Sequence, residues 1–393
     1  PGNAGTLSVA ENIPINPEDP VQVANVALEK KIDLILIGPE APLVAGVADY
    51  LTRQQATASV KVVGPTQKGA MLEASKDFSK AFMNKYHIPT AFAKTFTASQ
   101  LSEAIAFLST QQPPFVLKAD GLAAGKGVII CHHLEEAIRH LTEMLQGKFG
   151  KASQKVLIEQ FLNGIELSVF ILTDGRDYVL LPTAKDYKRV GENDTGLNTG
   201  GMGAVSPVPF ADEVFMKKVE ERIIRPTLSG LRKEDIEYIG FIFFGLMNVN
   251  GEPYVIEYNA RMGDPETEVV IPRIQTDFLE LLCATAEKRL SQQRIDIDER
   301  AATTVMLVSG GYPETYEKGK KISGLDTLTD VIVFHAGTTI DKENNLVTNG
   351  GRVMALTAFG KNIEEALKKS NHAALQVHFD KKYYRKDIGL DLL

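Results

Sequence analysis

Glu257, Asn259 and Arg261 alternate within the run Tyr254 to Glu268, YVIEYNARMGDPETE. On an extended chain such residues share one face, each pair about 6.5–7 Å apart. A carboxylate and a side-chain carbonyl at that separation can close on one hard divalent cation, which takes oxygen ligands and keeps waters and nucleotide phosphates as its others. Arg261 would stand beside that cation, where a planar guanidinium suits a phosphoryl group or a carboxylate in a bidentate fork. The run is entered through Asn250-Gly251, a strong hairpin signal, so Pro253 to Tyr258 reads as the return strand of a ribbon with Tyr254, Ile256 and Tyr258 on the opposite face. A half-buried strand with a solvated polar face shows the same alternation. The acid-rich turn Asp264-Pro265-Glu266 that follows favours a site.

Other residues with chemistry lie upstream. Phe115 to Lys118 is a short strand ending in a lysine, which needs a charged partner because burying it alone is costly. The loop ADGLAAGKGV follows, where Gly121, Gly125 and Gly127 can free backbone amides for phosphate oxygens and Lys126 adds a point charge. It is not a Walker A loop, since the glycine spacing is short by one and a strand follows instead of a helix; a ligand-free glycine hairpin is the other reading. Lys76 sits in the first turn of a helix, where a cation gains nothing from the dipole and could have another job, although a solvated surface lysine is the commoner occupant of such a place. Between Val156–Gln160 and Ile165–Leu172, the bend Phe161-Leu162-Asn163-Gly164 exposes backbone groups that could meet a purine edge, with Phe161 or Leu162 on the ring and Glu166 on ribose hydroxyls. Taken alone, the segment reads as a β-hairpin. Lys185 to Pro207, KDYKRVGENDTGLNTGGMGAVSP, is a long glycine-dense connection whose mixed charges favour function. Glu40, after Gly38-Pro39 at the end of a parallel strand, is at a ligand rim or simply opens a helix.

The framework that must hold these residues is an ordinary globular one. The chain has 393 residues, 44% hydrophobic and 24% charged, enough for two or three domains. A net charge of -7 argues against a nucleic-acid partner. Two distant cysteines, Cys131 and Cys283, exclude a disulfide framework; neither shows a CxxC or Cys/His pattern beside it, and both read as small buried hydrophobes. No apolar run approaches a bilayer span and no signal-like segment opens the chain, so no membrane partner is expected and the cytoplasm is the default. The turn-forming start PGNAGT suggests that a first strand is missing. Helical spacing in Val21 to Ala27, a buried parallel strand Ile32 to Ile37 and a second strand Val60 to Val63 make a βαβ rhythm that closes near residue 74. A helix from Ser75, another over Leu134 to Leu145 and a third from Asp212 to about Leu231 follow. Past residue 300, Thr303–Val308, Val331–Phe334 and Val353–Ala358 are strands and a helix begins at Asn362, giving a small α+β domain that covers the site, with Tyr383 to Arg385 as an exposed-looking cluster.

In order along nearly the whole chain, Lys76, Lys118, GLAAGKG, EQFLNGIE, NTGGMGAVSP and VIEYNARMGDPET make the sequence similar to the phosphoribosylamine-glycine ligase (glycinamide ribonucleotide synthetase) family of the ATP-grasp superfamily; PGNAGT, GPEAPL, GGYP, HAGT, TNGGRV and RKDIG extend the likeness. The resemblance implies an α/β and α+β multidomain protein: an N-terminal parallel α/β domain over 1–74 with its first strand missing, an ATP-grasp domain over 75–300 with a lid subdomain at about 91–162, and a C-terminal α+β domain over 301–393. It implies ATP-dependent ligation of glycine to 5-phosphoribosylamine through glycyl phosphate, with Mg²⁺ or Mn²⁺, in a monomer or weak homodimer. On this reading Lys76 and Lys118 hold ATP phosphates and Gly121 to Gly127 closes over them. Glu159 to Leu162 meets adenine, Glu166 meets ribose, and Glu257 with Asn259 holds the metal. Asp186, Lys188, Gly201, Asp264 and Glu40 serve the other substrates, and Arg261 lies near the transferred phosphoryl group. Two departures stand out: the family's amino-terminal strand and glycine-rich loop are absent, and Gly245 occupies the place where many ATP-grasp enzymes present a further acid. The alternatives are another ATP-grasp ligase or carboxylase of purine metabolism, and a catalytically dead nucleotide-binding protein.

Overall fold

A computed structural model describes residues 2–122 and 127–393, so Gly125 and Lys126 lie outside the described residues. The chain begins with turns and α1 (Pro20–Glu29), whose N-cap Asp19 accepts the Val21 and Gln22 amides. β1 (Leu34–Leu36) pairs in parallel with β2 (Lys61–Val63), with α2 (Glu40–Val44) and α3 (Val47–Arg53) between them. The expectation of a buried strand over Ile32–Ile37 fails in part. Leu36 is 39% exposed, because β1 pairs only with β2 among the described residues and its outer edge meets solvent. α4 (Gln67–Ala74) leads directly into α5 (Lys76–Lys85), where Ser75 caps by accepting the Phe78 amide and the helix ends before Pro89.

The next unit is an antiparallel sheet of β3 (Ala93–Thr97), β4 (Phe115–Ala119), β5 (Val128–Cys131) and β6 (Lys155–Glu159), in the order β3-β6-β4-β5. α6 (Leu101–Leu108) and α7 (Leu134–Leu145) pack on it through Leu108, Leu117 and Leu141. β4 and β5 form a hairpin that sets Lys118 opposite Val128 at the base of the glycine loop. The structure corrects one reading here. β6 and β7 (Ile165–Thr173) do not pair as a hairpin; they belong to different sheets, and residues 160–164 cross between them. β7 alternates as expected, with Leu167, Val169 and Ile171 entering one core and Phe170 and Leu172 another, and it carries the short β8 (Tyr178–Leu180) on its edge.

The glycine-dense connection from Lys185 to Pro207 is folded. It contains β9 (Lys185–Asp186), β10 (Arg189–Gly191), β11 (Thr195–Asn198) and β12 (Gly203–Ser206), the middle two forming a ribbon and β12 pairing with β9. α8 (Glu213–Val219) runs through a π turn at Glu220–Ile224 into α9 (Arg225–Lys233), capped at its start by Asp212. β13 (Gly240–Val249) and β14 (Glu252–Asn259) then complete a sheet in the order β14-β13-β7-β8. Their turn residues Asn250 and Gly251 have φ of 53° and 83°, the paired left-handed geometry that a tight two-residue hairpin requires. α10 (Thr267–Val270) and α11 (Phe278–Ala286) follow.

In the last third, β15 (Ala301–Val308), β16 (Val331–His335) and β19 (Arg352–Gly360) form a sheet, with β17 (Thr338–Ile340) and β18 (Leu346–Thr348) as a separate hairpin and α12 (Ile363–Gln376) packed on β15 and β19. The full order is β16-β19-β15-β12-β9, so these strands continue into the Lys185–Ser206 excursion. That shared sheet fixes Asp186 at the seam between the two halves, with Lys188 two residues on. The exposed-looking cluster is overturned: Arg385 is 1% exposed, held by Asp194 and Asp387, and only Tyr383 of the three reaches solvent.

Candidate active site

One cleft of about 1000 Å³ gathers most of the residues singled out above: Glu40, Lys76, Lys118, Gly127, Glu159, Glu166, Asp186, Lys188, Glu257, Asn259, Arg261 and Asp264 all line it. A β-bulge shapes its floor. Val255 pairs with Leu246 and Glu257 with Gly245, so Ile256 is the extra residue and strict alternation breaks there. The core face is therefore Val255 and Tyr258, not Tyr254, Ile256 and Tyr258, while Ile256 turns into the cleft. Past the bulge, Glu257 and Asn259 do share the cleft side. Gly245 lies beneath Glu257, and a Cβ there would stand 3.1 Å from the Glu257 Cγ, so the strand leaves that carboxylate its room.

Two lysines share one carboxylate beside this strand. Lys118 finds its partner in Glu159, which also pairs with Lys80 from α5. Burial opposes ionisation of Glu159, but Lys118 and Lys80 together outweigh it and hold its carboxyl below the usual range. Burial pulls the Lys76 ammonium below its ordinary value, with Glu257 the main opposing charge. Asp120 fixes the start of α5, accepting the Ser75 hydroxyl at 2.9 Å and the Asp77 amide at 2.8 Å, so an anion sits at the helix N-terminus beside Lys76.

Arg261 is clamped on its far side. Its Nη2 lies 2.9 Å from Glu73 Oε1, its Nε 3.3 Å from Glu40 Oε2, and its Nη1 donates to the Met262 carbonyl at 3.0 Å. The Nε is buried and makes no aligned hydrogen bond among the described residues. Glu73 is 8% exposed, accepts the Ala260 amide at 2.7 Å, and is pushed by burial up to about 7 despite Arg261. Glu40 opens α2 and also lines the cleft.

At the seam, Lys188 donates to Glu166 at 2.8 Å and stands 3.9 Å from Asp186. Burial and then neighbouring Asp186 push Glu266 up to about 8, and burial also raises Asp186. Glu266 accepts the Ser168 hydroxyl at 3.1 Å. Because its folded value exceeds the unfolded carboxylate value, Glu266 binds a proton in the native state that the unfolded chain has lost. Stability attributable to it therefore falls as pH rises from about 5 to about 8. Glu266→Gln is expected to gain in urea midpoint over the parent progressively across that range; a constant offset would refute the raised value.

Several residues fall elsewhere. The Gly121 amide donates to the Ala152 carbonyl at 3.0 Å, which takes it away from phosphate, and Phe161, Leu162 and Gly201 do not line the cleft. Gly201 has φ of 112° and a Cβ there would strike Pro265 at 2.2 Å; its amide is spent on the Thr199 hydroxyl, so it shapes the turn instead of presenting a donor. Sequence reasoning passed over Glu73 and Lys80, named Glu266 only as part of the acid-rich turn, and gave Arg352 no role. Lys80 had a signal, four residues after Lys76 on the same helix face. Arg352 stood only in the run TNGGRV, with nothing local to give it a partner; it arrives from β19 to bond the Gly200 carbonyl at 2.6 Å and Asp264 Oδ2 at 2.5 Å.

Comparison with known proteins covers the chain nearly from end to end. Residues 1–73, 74–267 and 302–391 match, respectively, the N domain, the ATP-grasp (A) domain and the C domain of phosphoribosylglycinamide synthetase. This chain belongs to the phosphoribosylglycinamide synthetase family. It is 44% identical over 401 residues to the phosphoribosylamine–glycine ligase of Chlorobaculum tepidum, covering 100% of this chain and 93% of that protein. The Escherichia coli K12 enzyme of the same name is 43% identical over 395 residues, 99% of this chain and 91% of the other. The crystal structure of the Thermotoga maritima phosphoribosylamine–glycine ligase superposes with a TM-score of 0.84 at 37% identity, covering 99% of this chain and 92% of that one. A biotin carboxylase from Campylobacter jejuni shares the fold, with a TM-score of 0.70 at 15% identity and 95% and 81% coverage. As a member of the synthetase family the chain is an ATP-grasp enzyme and an ATP-dependent ligase. No helix among the described residues is long and apolar enough to cross a membrane.

Proposed function

We propose that this cleft ligates glycine to 5-phosphoribosylamine at the expense of ATP, giving glycinamide ribonucleotide, ADP and phosphate. The observation that carries the assignment of roles is the convergence of Lys76, Lys118, Glu257, Asn259 and Arg261 with Asp186 and Lys188 on one cleft. The glycine carboxylate oxygen attacks the γ-phosphorus as the bond to ADP breaks, leaving glycyl phosphate. The amine of phosphoribosylamine then attacks the glycyl carbonyl, the carbon–oxygen bond to phosphate breaks, and the amine gives up one proton. No side-chain nucleophile takes part; positioning and charge neutralisation do the work.

Lys76 and Lys118 neutralise the phosphate tail. Glu159 sets Lys118 and Lys80 in place, and Glu166 faces the ribose. Gly127 borders the phosphates. Asp186 and Lys188 orient glycine and the ribose phosphate, with Glu40 and Asp264 at the rims. The donor set fits a magnesium- or manganese-class ion: Glu257 and Asn259 offer two oxygens from one face, and no cysteine or histidine lines the cleft among the described residues. Such an ion supplies charge neutralisation on the phosphate oxygens. Arg261, fixed from behind by Glu73, meets the transferred phosphoryl group. We further infer a cytoplasmic enzyme, monomeric or weakly dimeric, with no nucleic-acid partner.

The deciding assay is steady-state ADP release with glycine and phosphoribosylamine each omitted in turn. Release should require both. ADP release supported by bicarbonate in place of glycine would assign a carboxylase, and ATP binding without turnover would assign a binding protein.

A further inference from the structure

Away from the cleft, Cys131 at the end of β5 meets Glu136 and His140 on α7, and one sulfur, one carboxylate oxygen and one imidazole nitrogen lie within 4.8 Å of one another. Cys131 is fully buried. The sequence reading set it aside as a small hydrophobe; His132 and His133, which follow it directly, are exposed and lie outside this cluster. The histidine is supplied by the helix instead: Glu136 and His140 are four residues apart and share the face over which β5 ends.

A second observation makes this more than proximity. His140 Nδ1 lies 3.2 Å from Glu143 Oε2, and Glu143 is itself held by Lys148 at 2.8 Å. A carboxylate partner at Nδ1 puts the imidazole proton there and leaves the Nε2 lone pair free, on the side where Glu136 Oε1 stands 3.8 Å away. A carboxylate behind a histidine is the arrangement that orients imidazoles on metal ions. We propose that Cys131, Glu136 and His140 bind one zinc-class divalent ion, with water as the fourth ligand and Glu143 positioning His140.

Sulfur and nitrogen donors select zinc or cobalt over magnesium, so this site and the oxygen-lined cleft take different ions. A tetrahedral ion with bonds of about 2.0–2.3 Å needs its donors about 3.3–3.8 Å apart. The contraction required is about 1 Å, within reach of side-chain rotation by Glu136 and His140, which are partly exposed on the helix. On binding, the metal–sulfur bond replaces the thiol S–H bond and the proton goes to solvent. The ion would clip the end of β5 to α7.

The test uses the full chain, stripped with chelator and titrated with Co²⁺ alone, then Zn²⁺, without nucleotide or Mg²⁺. One Co²⁺ should bind with a thiolate-to-cobalt charge-transfer band that Zn²⁺ displaces. Cys131→Ser should abolish the band and Cys283→Ser should keep it. Glu143→Gln, which removes no ligand, should weaken binding about tenfold. His140→Gln, on a partly exposed helix face, decides the question if Cys131→Ser does not fold, and should lower Co²⁺ affinity by at least about tenfold. Absence of the band in the parent chain, its survival in Cys131→Ser, or unchanged affinity in His140→Gln overturns the proposal.

Discussion

Arg261→Ala is expected to lower kcat by about 10³-fold while the Kd for ATP shifts less than about threefold. The magnitude is that of removing one preorganised cation from a phosphoryl-transfer or oxyanion site. The partition follows from position. On the proposed reading the ATP phosphates meet Lys76 and Lys118, whereas Arg261 stands past Asn259 with its guanidinium tied to Glu73 and Glu40. A group so placed meets the phosphoryl group in transit more than the bound nucleotide, and an interaction made only in the transition state appears in kcat. Fold loss is not the expected cause of the deficit. Glu73, deprived of its guanidinium, can take up a proton, since burial already pushes it up to about 7. Single-turnover ADP formation and equilibrium nucleotide binding separate the two quantities. An unchanged kcat, or a loss confined to ATP affinity, would remove Arg261 from the proposed chemistry.

Much of the scaffold could be read because its signals are local. Asn250-Gly251 sits between apolar runs and makes the turn; Ser75, Asp212 and Asn362 each cap the helix that follows. The alternation from Ile165 to Leu172 survives because β7 is buried on both faces by different cores. What could not be read depends on partners far along the chain. The bulge at Ile256 is a property of how β14 registers on β13, and Gly245 gives no hint of it in isolation. Arg385 looked exposed because its partner Asp194 is 191 residues away. Glu73 lies in an unremarkable stretch of α4, and only Ala260 and Arg261, nearly two hundred positions later, reveal why a carboxylate is buried there. The same logic explains the Lys185–Pro207 segment. Its strand β12 takes its hydrogen bonds from β15 in the C-terminal sheet and carries β9 beyond it, so glycine density suggested a loop where the fold makes a shared edge.

Glu159→Gln should cost about 3–5 kcal/mol of folding stability, the expected loss when one partner of a buried ionic cluster is removed. The reason is charge arithmetic inside a closed space. Lys80 and Lys118 are both buried, and both ammonium groups lean on the Glu159 carboxylate. Lys80 retains the Thr90 hydroxyl at 2.7 Å and the Ala91 carbonyl at 2.9 Å, but these are neutral acceptors and cannot offset two cations in one pocket. Two signatures distinguish this cause from a packing defect. Burial already holds Lys80 below its ordinary value, and losing the carboxylate lowers it further, so the unfolded chain binds more protons than the native one. The deficit should therefore be largest near neutral pH and shrink as pH rises toward the lysine range. On the proposed reading added ATP brings negative charge back to Lys118, so nucleotide should raise the urea midpoint of Glu159→Gln more than that of the parent chain. A loss that is independent of both pH and nucleotide would mean that Glu159 merely fills space between β6 and α5.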